Sequence, residues 1–346
     1  MKKYYNLYNE IKNKILSGQY KAEEKLPSKR VMADRSGYSI ITVQKAYEML
    51  EDEGYIIPKE RKGYFVCEID VIKTEKTGSN HIEYLNEPSD FKTPDFEYSV
   101  WFKTVRKVIS EKGNLLFAKA PGKGCEVLRN AIADYLLRYR GMVAPPQRII
   151  IGSGAEQLYE TAVKVLGRDK IYGIEDPCYE QIPSVYNGMG VKICPLKMGN
   201  DGIKSEMLSS EFDVLHVTPF QSYPTGVTTS ASKRWKYLKW ANKKRSYIIE
   251  DDFNSEFFIP GHPIDSLYAL DTNQSVIYIN TFSKSLSPAM RMGYMILPEI
   301  LMEKYEQVMG NFSCSVPVMD QYILAEFISS GNFERHLNRM RRQMKR

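Results

Sequence analysis

A lysine in a hydroxyl-rich turn, seven residues before an arginine, is the segment of this sequence best suited to covalent chemistry. It reads Ile279-Asn280-Thr281-Phe282-Ser283-Lys284-Ser285-Leu286-Ser287-Pro288-Ala289-Met290-Arg291-Met292-Gly293-Tyr294. The hydroxyls and the guanidinium suit a phosphate, while the Lys284 amine can form a Schiff base. Taken alone, a surface lysine in a polar loop reads the same way. Three further segments carry candidate chemistry. Gly152-Ser153-Gly154-Ala155-Glu156-Gln157 follows an apolar run and opens a helical pattern, so its amides and the helix N-terminus can receive a phosphate. Tyr247-Ile248-Ile249-Glu250-Asp251-Asp252-Phe253 ends an apolar run on three acids, which suits solvated carboxylates, a magnesium site, or one carboxylate set against a cationic ring nitrogen. Glu175-Asp176-Pro177-Cys178-Tyr179 places an aromatic after a turn, where it can stack on a flat ring or simply pack in the core.

These segments need a scaffold, and the surrounding pattern predicts one. Apolar runs at Arg148–Ile151, Lys170–Gly173, Val214–Val217, Tyr247–Ile249, Val276–Ile279 and Met292–Leu297 read as buried strands. Helical stretches at Glu126–Tyr139, Glu156–Leu166 and Ser232–Asn242 alternate with them. The alternation predicts an α/β body with a mostly parallel sheet.

The first 70 residues are organised differently. Leu7, Tyr8, Ile11 and Ile15 fall at helical spacing. Ser28 and Ser39 are placed to cap a second and a third helix on either side of a Ser36-Gly37-Tyr38 turn, and Val43, Ala46, Tyr47 and Leu50 share one face of the third. Two short strands, Tyr55–Ile57 and Tyr64–Val66, flank the charged tip Lys59-Glu60-Arg61-Lys62-Gly63. This is the pattern of a winged helix-turn-helix, although a small helical domain that packs on another body has the same outline. Charge does not decide between them: 13 basic and 11 acidic residues leave only +2 in this segment. The placement of Lys29, Arg30, Arg35 and the wing-tip cations favours DNA.

Composition sets the outer bounds. The 346 residues suggest two domains, and a hydrophobic fraction of 43% excludes a wholly disordered chain. The net charge of +6 permits a nucleic-acid partner without demanding one. Five widely spaced cysteines without a CxxC argue against a disulfide framework or a zinc site, so no metal is expected. No secretory leader or run of eighteen apolar residues occurs, which predicts a soluble cytoplasmic protein with no membrane partner.

Leu26-Pro27-Ser28-Lys29-Arg30, Ala33, Ser39-Ile40-Ile41-Thr42-Val43, Ala46-Tyr47, Leu50, Glu53-Gly54-Tyr55-Ile56 and Gly63-Tyr64-Phe65-Val66 resemble the DNA-binding head of GntR-type regulators. The family usually carries arginine where Ile40 stands. The four body segments, with Pro219, Tyr223-Pro224-Thr225-Gly226 and Ser255-Glu256-Phe257, resemble the large domain of fold-type I aminotransferases. Head and body together resemble MocR-type regulators of the GntR superfamily, from Tyr5 to the last residue.

The resemblance implies residues 1–68 as a winged helix-turn-helix, 69–95 as a linker and 96–346 as an aminotransferase-like body. It implies duplex DNA contacted by Lys29, Arg30, Ser39, Thr42, Lys45, Lys62 and Gly63. It further implies pyridoxal 5'-phosphate bound as an internal aldimine on Lys284, with Asp251 on the ring nitrogen and Tyr179 on the ring face. Ser153, Gly154, Ala155, Thr281, Ser283 and Arg291 would hold the phosphate, and Tyr223 stands where aminotransferases place an asparagine near the ring hydroxyl. Such a chain would be a homodimer that senses an amine or amino acid at Lys284, a regulator rather than a working enzyme. A working aminotransferase with a DNA-binding head and a cofactor-free DNA-binding fragment are the alternatives.

Three departures from the family stand out. Phe253 replaces a usual tyrosine. Lys119-Ala120-Pro121-Gly122-Lys123-Gly124 replaces a Tyr-Gly-Asp-Pro-x-Gly turn. The chain also stops on a helical stretch, Gln321 to Arg346, where the family continues into a small domain bearing a carboxylate-binding arginine. The expectation is of a chain lacking that domain, and of tighter binding to the cofactor than to amino acids. The last twelve residues hold six cations and no acid, a composition that a nucleic-acid tail would share.

Overall fold

The computed structural model describes residues 3–59, 62–67, 96, 98–257 and 265–344. The chain divides into two compact units, Met1–Pro88 and Ser89–Arg346. The expected linker, 69–95, and the wing-tip residues Glu60 and Arg61 lie outside the described residues.

The first unit holds α1 (Lys3–Leu16), α2 (Lys29–Ser36), α3 (Ile40–Asp52) and a hairpin of β1 (Ile56–Lys59) and β2 (Gly63–Val66). Its capping follows the sequence closely. Ser28 Oγ accepts from the Val31 amide and Ser39 Oγ from the Thr42 amide, each at 3.3 Å. Gly37 closes α2 in the left-handed region, its amide donating to the Ala33 carbonyl. Burial of Leu7, Tyr8, Ile11 and Ile15 against Val43, Ala46, Tyr47 and Leu50 joins α1 to α3, and Ile56 and Val66 close the core below them. Tyr47 fixes the approach of α2 by donating its hydroxyl to the Pro27 carbonyl at 2.8 Å. Ser39→Ala is expected to cost the head about 1 kcal/mol through the lost cap. Faster hydrogen exchange at the Thr42 and Val43 amides would report it, and unchanged exchange would show that the helix start is held by something else.

The second unit is built on α4 (Tyr98–Lys112), α5 (Glu126–Arg140), β3 (Ile149–Gly152), α6 (Ala155–Leu166), β4 (Ile171–Asp176), α7 (Gln181–Gly188), β5 (Lys192–Gly199), β6 (Gly202–Ile203) and β7 (Val214–Val217). It continues with α8 (Ala231–Lys244), β8 (Tyr247–Asp251), α9 (Leu267–Leu270), β9 (Val276–Thr281), β10 (Gly293–Ile296), α10 (Met302–Met309), α11 (Val318–Ser329) and α12 (Asn332–Met344). The sheet order is β3-β10-β9-β8-β7-β4-β5-β6. Neighbours from β9 through β5 run parallel, whereas β10 is antiparallel to both β9 and β3. All six expected strands are present.

Alternating side chains bury both faces of the sheet, as a near-continuous apolar strand requires. Ile149, Ile151, Tyr278, Tyr294 and Ile296 face α5, α11 and α12. Ile150, Ile249, Ile277, Ile279 and Met295 face α6, α7 and α10. The carboxyl ends of β3, β4, β7, β8 and β9 therefore share one edge of the sheet, the edge at which open α/β sheets bind ligands.

The C-terminal stretch corrects one expectation. It is two helices rather than one, broken at Ser330-Gly331, where Gly331 has φ +72°. The break turns α12 so that Phe333 and Leu337 enter the core beside α5. Its cations also have structural work: Arg341 donates to the Glu256 carbonyl at 2.6 Å and to the Tyr139 hydroxyl at 2.8 Å. Among the described residues, no helix is long and apolar enough to cross a membrane, and no group of three or more His, Cys, Asp or Glu is placed to hold a metal ion.

Candidate functional site

Three acids end β8, and their partners separate their roles. Glu250 accepts from the Leu267 and Tyr268 amides at 2.7 and 2.8 Å, so it caps α9. Asp252 pairs with Arg140 at 3.0 Å and accepts from the Tyr278 hydroxyl at 2.7 Å. Asp251 remains. The Tyr159 hydroxyl donates to its Oδ2, while its Oδ1 is buried and without a hydrogen-bond partner among the described residues. Burial lifts the Asp251 carboxyl to about 6 against the opposing pull of Tyr159.

Behind Asp251 lies a buried aromatic layer. The His216 ring packs edge-on to Tyr159 at 4.9 Å, and His216 Nδ1 is 2.7 Å from the Tyr186 hydroxyl. Burial pushes His216 down to about 3, so it is neutral.

Lys284 stands in the turn after β9. Its side chain reaches solvent, yet its amine lies 5.5 and 5.4 Å from the Phe253 and Phe257 ring centres and donates to Asn254 Oδ1. Partial burial lowers its proton affinity, with Glu256 acting in the opposite direction. Glu256 is itself buried, pushed up to about 7, and accepts from Asn280 Nδ2 at 2.7 Å.

Arg291, at the end of the same loop, reaches back to the start of α6. There its guanidinium pairs with Glu156. Gly154 precedes the helix with φ +111°, and a Cβ at that position would lie 2.9 Å from the Arg291 guanidinium. The backbone conformation calls for glycine, and a side chain there would also push the Arg291 guanidinium aside. Ser153 and Ala155 flank it, half-buried, and the Ser153 amide donates to Gln157 Oε1 at 3.2 Å. Thr281 is buried at the end of β9 and Ser283 is half-buried two residues on.

Tyr179 and Tyr223 are both exposed, and their rings meet edge to face at 6.0 Å. Burial raises the Tyr179 phenol, and Glu156, Arg291, Tyr223 and Asp251 all lie near enough to act on it. The structure thus ties Tyr179 to Tyr223, Glu156, Arg291 and Asp251, and Arg291 to Gly154, while Lys284 contacts Phe253, Asn254 and Phe257. Tyr159 at Asp251, Glu156 at Arg291, and Asn254 and Glu256 beside Lys284 complete these contacts. Sequence reasoning passed over them because nothing in their local pattern marks them.

The expected DNA-contacting residues line one motif of the head. Arg30, Ser39, Lys45, Lys62 and Gly63 are exposed, and Thr42 is half-buried with its hydroxyl 2.9 Å from Ser39 Oγ. Lys29 lies over the Tyr64 ring at 5.5 Å and Lys45 over Tyr4 at 5.1 Å.

Known proteins with these features bear on both units. The model of the bacterial regulatory proteins of the gntR family matches residues 3–66. An HTH-type transcriptional regulator of Bacillus subtilis, YdeL, is 33% identical over 98% of this chain and 76% of its own length. The probable rhizopine catabolism regulatory protein MocR of Rhizobium meliloti is 28% identical, over 97% of this chain and 73% of its own. Among solved structures, an archaeal alanine:glyoxylate aminotransferase superposes with a TM-score of 0.64 at 26% identity, covering 70% of this chain. This chain spans 63% of that enzyme's length. Fold and site together define a DNA-binding winged helix-turn-helix joined to an aminotransferase-like body. The chain belongs to the MocR-type transcriptional regulators of the GntR superfamily.

Proposed function

We propose that the body binds pyridoxal 5'-phosphate covalently through Lys284, and that the regulator senses an amine or amino acid that competes for that attachment. Asp251 carries the reading. A buried carboxylate oxygen with no partner is costly unless a donor completes it, and a protonated pyridine nitrogen is such a donor. The walls fit the rest of the group. Gly154 leaves room beside Arg291 for backbone amides to meet a phosphate, and Thr281 and Ser283 bring hydroxyls to the same loop. Ser153 and Ala155 would complete the phosphate contacts, Tyr179 would lie on the ring face, and Tyr223 would stand near the ring hydroxyl. When bound, the group supplies an electrophilic carbon that captures amines and a ring that withdraws electrons.

The protein's own residues prepare that chemistry. Partial burial of the Lys284 amine lowers its proton affinity, which assists its neutral, nucleophilic form. Asn254 orients the amine by accepting a hydrogen bond from it at Oδ1. Tyr159 holds one Asp251 oxygen, and the other has no hydrogen-bond partner among the described residues. Phe253 offers no phenol, so a neutral hydrogen bond worth about 1 kcal/mol is absent from the ring-hydroxyl side.

Assembly as a homodimer is part of the same reading. Tyr98, Phe102 and Ile109 on α4 and Phe117 just after it are exposed apolar side chains that a second copy would cover. A helix-turn-helix reads paired half-sites as a dimer.

Borohydride reduction in the presence of pyridoxal phosphate is expected to label one peptide, the one that contains Lys284, and Lys284→Ala is expected to take no label. Asp251→Ala should retain the label and weaken cofactor binding roughly ten- to a hundredfold, for the loss of a charge-assisted contact. A label elsewhere, or none at saturating cofactor, refutes the assignment.

A further inference from the structure

The helix that opens toward DNA begins on two isoleucines that the fold does not use. Ile41 is 80% exposed and Ile40 47%, whereas the packing seam of α3, formed by Val43, Ala46, Tyr47 and Leu50, is wholly buried. Neither residue is needed to start the helix, because Ser39 caps it. A β-branched pair has below-average helix propensity, so exposing one at this position brings the head no stability.

One turn further along α3, Gln44 and Lys45 are exposed, and on α2 Arg30 is exposed as well. An apolar tip framed by cations suits a surface that offers phosphates at its rim and an apolar group at its floor. In a helix-turn-helix, the first residues of the second helix meet base edges in the major groove. The apolar group that base pairs present there is the thymine 5-methyl.

We propose that Ile40 and Ile41 read thymine methyl groups, so that operator half-sites carry thymine where the first turn of α3 enters the major groove. Arg30 and Lys45 position the helix on the phosphates. This inference rests on the DNA-binding assignment of the head and is independent of the cofactor.

Duplexes enriched from a random-sequence library by the full chain serve as the probe. Each thymine in the enriched site is replaced in turn by deoxyuridine, which pairs identically but lacks the methyl group. One or two replacements per half-site are expected to weaken binding roughly three- to tenfold, the scale of one or two buried methyl contacts. Ile40→Ala/Ile41→Ala should bind the thymine and deoxyuridine forms of the sensitive site alike. Ile40→Arg should shift enrichment toward guanine, which a guanidinium reads through O6 and N7. Circular dichroism melts of the variants should match the parent chain, since both side chains lie outside the core.

Equal affinity of the parent chain for thymine and deoxyuridine duplexes overturns the proposal and leaves DNA binding intact. So does an unaltered methyl dependence in an Ile40→Ala/Ile41→Ala variant, which would assign the isoleucines to a protein surface. If no duplex is enriched and no salt-dependent binding is seen, the DNA-binding assignment fails first and takes this inference with it.

Discussion

Asp252→Ala is expected to destabilise the body by about 3–5 kcal/mol, because it leaves the Arg140 guanidinium buried without its counter-charge. Both side chains are almost wholly inaccessible, at 4% and 9% exposure, and no solvent stands ready to replace the lost carboxylate. The substitution also strands the Tyr278 hydroxyl, which donates to the same Asp252 oxygen. Among the described residues, Arg140 then keeps its contact to Ser255 Oγ and the more distant charge of Glu256. Urea unfolding followed by tryptophan fluorescence reports on the body, since Trp101, Trp235 and Trp240 all lie there. Removing both charges, as in Arg140→Met/Asp252→Leu, should recover much of the loss, because a buried pair replaced by apolar groups of similar size is often close to neutral. A single-variant cost below about 1 kcal/mol would mean that Arg140 swings out to water and that the pair does not anchor the segment from Asp252 to Phe257.

The second large effect is a pH dependence of stability centred on Glu175. This residue sits in β4, buried, with Ser222 Oγ donating to its Oε2 at 2.5 Å and its Oε1 unpartnered among the described residues. Burial pushes its carboxyl up to about 8, and the Ser222 hydroxyl offsets only part of that rise. In the unfolded chain the same group gives up its proton near the ordinary value of 4.5. Between these values the unfolded state binds fewer protons than the folded one, so stability falls as pH rises. The slope approaches about 1.4 kcal/mol per pH unit, and over the whole window the loss is on the order of 4 kcal/mol. Glu175→Gln keeps an acceptor for Ser222 and cannot ionise. It should match the parent chain near pH 5 and exceed it in stability at pH 8. Parallel pH profiles for the two proteins would assign the titration to other buried acids, of which Asp251 and Glu256 are raised in the same direction.

Much of this molecule is written in short-range pattern. Ser28 and Ser39 cap helices whose amides lie three residues away, and each hydroxyl finds the expected amide. The six apolar runs became strands because alternating or continuous hydrophobicity over four to six residues needs no distant partner to be recognised. The Thr281–Arg291 segment marked the lysine loop in the same way, since its hydroxyls, lysine and arginine fall within one turn.

The choice among the three acids of β8 belongs to the tertiary structure. Glu250 is committed to α9, 17 residues downstream, and Asp252 to Arg140, 112 residues upstream. Tyr159, which claims one oxygen of Asp251, lies 92 residues before it. The same holds for Gly154, a plain glycine in a turn until Arg291 closes over it, and for the last helical stretch, which composition presents as a basic tail until Gly331 bends it and Phe333 and Leu337 enter the core. Caps and strands are decided by neighbours along the chain, where a few residue types suffice to signal them. The protonation, pairing and free valence of a buried carboxylate are decided by groups that only the folded sheet brings within hydrogen-bond reach.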